Sequence, residues 1–65
     1  MTFTIQVMFG DGRPPLEETY TNWTKAYRKA KALVLYHGSD NGVFLFSPDG
    51  SVIEVQVNGF RKVAL

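Results

Sequence analysis

One stretch of this chain repeats its apolar residues every three to four positions, while the segments on either side repeat theirs every two. Trp23, Ala26, Tyr27, Ala30, Leu33 and Val34 share one face of a helix of about 14 residues that the spacing predicts from residue 23 onward, with His37 continuing the stripe at its end. A helix with one apolar stripe needs a second layer to hide it from water. In 65 residues that layer has to be a sheet built from the flanking segments.

Those segments read as strands. From Thr2 to Phe9 the alternation is strict, with Phe3, Ile5, Val7 and Phe9 on one side and Thr2, Thr4, Gln6 and Met8 on the other, the mark of a half-buried strand. "GDGRPP" at 10–15 ends it, because glycine admits unusual dihedrals and proline withholds a donor. "LEETYT" follows as a shorter strand, with Leu16 and Tyr20 inward and Glu17 and Glu18 guarding a sheet edge. Asn22 is placed to cap the helix, and His37, Gly38 and "GSDNG" end it. Beyond lie the apolar run "GVFLF", a turn "SPDG" with proline second, and the alternating "SVIEVQV". Asn58-Gly59 reads as a two-residue turn of the primed type that folds "FRKV" back as a short fifth strand.

The chain is therefore expected to be one α+β domain over residues 1–65, with the element order ββαββ(β). One helix packs on a four- to five-stranded, mainly antiparallel sheet in two layers. Val43 with Leu45 and Phe44 with Phe46 point to opposite faces, so the third strand is apolar on both and suits a central position. That favours the lateral order 2-1-3-4 with the fifth segment outside. The spacing of elements also resembles small β-grasp domains such as the immunoglobulin-binding modules of bacterial surface proteins. That likeness implies the order 2-1-4-3, with the first and fourth strands parallel; it rests on elements without a shared site motif and carries no function with it.

Composition narrows the function classes. Cysteine is absent, which removes disulfides and thiolate metal sites. No apolar run approaches the ~18 residues of a membrane span. "MTFTIQVMF" alternates instead of following a basic start with a continuous apolar core, so a cytoplasmic location is expected. His37, the only histidine, is expected to satisfy a carbonyl at the helix end. Ser39, Ser47 and Ser51, like Asp11, Asp40 and Asp49, fall in or beside turns, where such side chains bond the local backbone. "SDNG" is only a fragment of a calcium loop, and "NWT" matches a glycosylation acceptor that the N-cap role of Asn22 accounts for. No catalytic set, metal site or cofactor is expected.

Charge is where the sequence departs from the ordinary. The chain carries seven Lys and Arg and six Asp and Glu, a net +1, yet residues 23–36 hold four cations and no acid, leaving 1 − 4 = −3 for the rest. Lys25, Arg28 and Lys29 fall on the outward half of the helix with Leu35 and Tyr36, and Lys31 falls on its flank. A solvated face is the bland reading, since the helix dipole favours cations towards the C-terminal end. The recognition reading takes Lys25, Arg28, Lys29, Lys31, Leu35 and Tyr36 as a surface for an acidic protein partner, in a small, non-enzymatic regulatory module. A nucleic-acid backbone is the second partner class. A homo-oligomeric structural subunit is the third reading; the chain itself is expected to be a monomer or a weak homodimer joined through the Phe44/Phe46 strand or the C-terminal segment "FRKVAL". Trp23 is expected against Ile5, Val7 and the strand at 52–57.

Overall fold

The computed structural model describes residues 1–38 and 41–63, and in it the two periodicities become two layers. Strands β1 (Phe3–Met8) and β2 (Leu16–Tyr20) form a hairpin, and helix α1 (Trp23–His37) follows; β3 (Gly42–Phe46), β4 (Val52–Gln56) and β5 (Gly59–Lys62) complete a single sheet. The lateral order is β2-β1-β3-β4-β5, and every neighbouring pair is antiparallel. The β-grasp order does not form, because β1 pairs with β3 and not with β4.

The reason lies in β3. Val43 and Leu45 are fully buried towards the helix while Phe44 and Phe46 stand on the opposite face. A strand apolar on both sides loses most at an edge, and here it is the middle of five. Because β2 and β3 both oppose β1, they run parallel to each other, and α1 crosses over β1 to join them. Its stripe closes a core of Ile5, Val7, Ala26, Ala30, Leu33, Val34, Val43, Leu45 and Val55. Ala26 and Ala30 have no exposed surface, and their small side chains let the helix approach the sheet, whose branched residues fill the remaining space.

Both helix ends are closed. Asn22 accepts a hydrogen bond from the Lys25 backbone N–H at 3.1 Å, the N-cap expected of it. At the other end the Gly38 N–H donates to the Val34 carbonyl at 2.9 Å, with Gly38 at φ 82°, a conformation that favours glycine. The "SPDG" turn forms as read: the Gly50 N–H donates to the Ser47 carbonyl, and Asp49 accepts from both the backbone and the hydroxyl of Ser51.

Four expectations need correction. Trp23 is 40% exposed; it stands at the first turn of α1, stacked on Tyr27 and beside a cleft with Met1, Phe3 and Pro48, away from the central core. Leu16 lies on the helix-side face opposite Val7, but at the edge strand, where it stays exposed. The β4–β5 loop is Val57-Asn58, one residue earlier than the Asn58-Gly59 signal, because Gln56 pairs with Gly59. It is not a primed type I turn, since no non-glycine residue among those described has positive φ. Finally, β3 cannot join a second chain by edge pairing, because both its sides are taken by β1 and β4. The turn roles expected of Ser39 and Asp40, and the final Ala64 and Leu65 of the C-terminal segment, lie outside the described residues.

Candidate protein-binding face

The outward side of α1 is a stripe with helical spacing. Lys25, Arg28, Ala32 and Leu35 make one row at three- and four-residue intervals, Lys25, Lys29, Ala32 and Tyr36 a second beside it, and all six residues are exposed. Leu35 is 66% exposed and Tyr36 83%, so an aliphatic and an aromatic group stand in water at the end of a basic row. Lys31 is set apart, half-buried on the flank with its ammonium 5.9 Å from the centre of the Tyr27 ring. Five of the six expected side chains are thus brought onto one face, and the sixth borders it.

None of the four cations forms an ion pair among the described residues; the ion pairs there are Arg13–Asp11 and Arg61–Glu54. The first turn of α1 has no acidic residue. A helix that stabilised itself would place carboxylates four residues from its lysines and near its N-terminus. This one leaves its positive charge uncompensated.

At the C-terminal end the row opens into a shallow groove of about 320 Å³, lined by Lys29, Ala32, Leu33, Tyr36 and His37. Aromatic contacts build its wall. The His37 ring meets Tyr36 edge-on at 4.9 Å and Phe9 edge-on at 5.2 Å, while the Arg13 guanidinium lies 4.2 Å from the centre of the Phe9 ring. Arg13 is itself held by Asp11, whose carboxyl its hydrogen bonds keep below the usual value. His37 was expected to satisfy a helix carbonyl, but Gly38 and Asn41 close the helix end, and the imidazole is a packing group.

Two features escaped the sequence reading. Asn41 donates to the His37 carbonyl at 2.9 Å and accepts from the Gly10 N–H at 3.2 Å, tying the end of α1 to the β1–β2 loop beside the groove. In the sequence it was one turn former among several. The second is an aromatic row on the helix flank: Trp23 stacks on Tyr27 at 4.9 Å, and Phe60 of β5 meets Tyr27 edge-on at 5.8 Å. The register places Phe60 on the helix-side face opposite Val55, which the period-two pattern of "FRKV" could have shown once β5 was placed.

Among the described residues no group of three or more His, Asp or Glu is arranged to hold a metal, and no helix is long and apolar enough to cross a membrane. No family model matches the chain, and neither the curated proteins nor the solved structures hold a significant match to it.

Proposed function

We propose that this protein is a small, non-enzymatic binding module whose exposed α1 face docks an acidic segment of another protein. What supports the reading is the uncompensated basic row Lys25–Arg28–Lys29 ending in exposed Leu35 and Tyr36. Cationic attraction at close range speeds encounter, and a desolvated aromatic and aliphatic pair slows release; the two occur here on one helix. With −3 on the remainder of so small a chain, the positive field is local, and a Debye length of about 8 Å at physiological salt confines it to the helix. The partner is accordingly an acidic segment with apolar groups spaced to meet Leu35 and Tyr36.

A nucleic-acid strand is the second reading, and the aromatic row Trp23–Tyr27–Phe60 with Lys31 beside it is the observation that favours it, since bases stack on such rows. One comparison separates the two. Affinity capture from lysate with wild type and with the Lys25/Arg28/Lys29→Glu variant, followed by kinetics on each captured partner, should return proteins that the variant loses. Salt should then act on the association rate, and Leu35→Ala or Tyr36→Ala should speed dissociation. Binding to generic single-stranded DNA or RNA with a logarithmic salt slope near −3, as about four phosphate contacts give, would replace this reading by the second. Identical capture by wild type and variant would show a face that is only solvated.

A further inference from the structure

The face of the sheet turned away from α1 has no layer upon it among the described residues. The register arranges it in rows. Across the middle run Glu17, Gln6, Phe44, Glu54 and Arg61, one from each strand. The adjacent row is Thr19, Thr4, Phe46 and Val52, extended by Val63, whose N–H donates to the Val52 carbonyl. On the other side Met8 stands opposite Gly42. The Phe44 ring leans over that glycine, close enough that a Cβ there would stand 2.7 Å from Cε2.

The result is an apolar band of Met8, half-buried Phe44 and Phe46 down the centre, beside Val52, which is already buried, with charge at both edges. Met8 is 44% exposed and Phe46 37%. An apolar sheet face of this kind ordinarily packs against a second layer.

We propose that a second copy of this chain covers this face, the two sheets packing about a two-fold axis that runs along β3. The charge pattern selects both the occupant and the axis. Among the described residues Glu17, on edge strand β2, has only the Gln6 amide as partner, at 3.5 Å. Arg61, on the opposite edge strand β5, pairs with Glu54 at 2.7 Å through one of its nitrogens, and among the described residues the rest of its fork of donors has no partner. A two-fold along the strands lays β2 of one copy over β5 of the other. Glu17 then meets Arg61 twice, the Gln6 amide meets Glu54 twice, and Phe44 and Phe46 meet their own counterparts at the axis. An axis across the strands would instead set Glu17 against Glu17 and Arg61 against Arg61.

Area sets the strength. Five strands about 4.8 Å apart and about five residues long make a face of roughly 19 by 17 Å, on the order of 320 Å² in projection from each copy. That is below the ~1,200 Å² total of stable interfaces, so the dimer is weak and reversible, with a Kd on the order of 100 μM.

Sedimentation equilibrium on the full chain, with amide chemical shifts followed over the same concentrations, from about 10 μM to 1 mM around that expected Kd, tests it. The expected result is a monomer–dimer equilibrium whose shifts fall on Thr4, Gln6, Phe44, Phe46 and Val52 and spare Lys29 and Tyr36. Phe46→Lys should weaken the dimer at least about ten-fold by placing a charge at the axis. Glu17→Lys, which disturbs no buried group, should weaken it about three- to ten-fold. Mixing Glu17→Lys chains with Arg61→Glu chains should restore association above that of either variant alone, because each contact between positions 17 and 61 then joins opposite charges. Lys25/Arg28/Lys29→Glu should leave the dimer unchanged, which keeps this inference separate from the helix-face reading. A wild type still monomeric at the highest concentration, or a dimer indifferent to both Phe46→Lys and Glu17→Lys, overturns it.

Discussion

The side-chain amide of Asn41 donates a 2.9 Å hydrogen bond to the carbonyl of His37, and its oxygen accepts from Gly10 across a separation of 31 residues. One short side chain therefore closes the last turn of α1 and fixes the β1–β2 loop against it. Each bond is worth about 1 kcal/mol net, so Asn41→Ala should cost about 1–2 kcal/mol. For a domain of this size that lowers Tm by roughly 5–10 °C. Asn41→Asp should do no better, because a carboxylate keeps the acceptor for Gly10 but faces the negative end of the helix and the His37 carbonyl. Thermal unfolding of both variants checks this; an Asn41→Asp protein as stable as wild type would show that the Gly10 bond alone matters.

Core energetics should follow exposure, not residue size. Leu45 is fully buried at the centre of the sheet, and Leu45→Ala should cost about 2–5 kcal/mol. Trp23 is larger but 40% exposed at the first turn of the helix, so Trp23→Ala should cost only about 1–2 kcal/mol, the share of its area and of its Tyr27 stacking that is lost. Denaturant melts of the two variants should differ in midpoint in that order. A Trp23 variant less stable than the Leu45 variant would mean that the helix packs by its first turn.

That contrast also marks how far the sequence could be read. The stripe Ala26–Ala30–Leu33–Val34 and the alternation Ile5–Val7 named the core directly, because periodicity reports which side of an element is apolar. The two-faced run Val43–Phe46 named the central strand and hence the strand order. Periodicity does not report where an element ends relative to the layer above it. Trp23 and Leu16 sit on the correct faces yet beyond the cover of the other layer. Asn41 was illegible for a different reason, since its two partners are set by tertiary approach. The basic face was legible because outward residues of a helix need no partner to be placed.

Tyr20 should make the fold sensitive to alkali. Its hydroxyl donates to the Glu18 carboxylate at 2.8 Å on the edge strand, and that hydrogen bond, with partial desolvation and the Glu18 charge, raises its pKa above the ordinary value near 10. A folded pKa above the unfolded one contributes stability that is complete below pH 10 and is lost as pH rises through the raised value. Tyr20→Phe should therefore flatten the decline in stability above pH 10 while leaving the profile near neutrality parallel to that of wild type. The test is to follow the denaturation midpoint of both proteins between about pH 8 and 11.5 across that range. Equal slopes above pH 10 would remove Tyr20 as the cause.

Thr24 is where stability and the proposed function should pull apart. It is exposed in the first turn of α1, which contains no acidic residue, and it stands four residues before Arg28. Thr24→Glu would place a carboxylate near the positive end of the helix dipole and in the favourable i,i+4 order with that arginine. Together these should stabilise the fold by about 0.5–1 kcal/mol and raise Tm by roughly 3–6 °C. If α1 were merely a solvated face, nothing would oppose such a change. If the face docks an acidic segment, the same carboxylate occupies Arg28 and cancels part of the local field, so affinity should fall about three- to ten-fold, mostly through the association rate. Thr24→Gln separates the effects, since it fills the same space without charge and should leave binding intact. A Thr24→Glu protein that is more stable and binds the captured partner as tightly as wild type would place the docking surface elsewhere on the molecule.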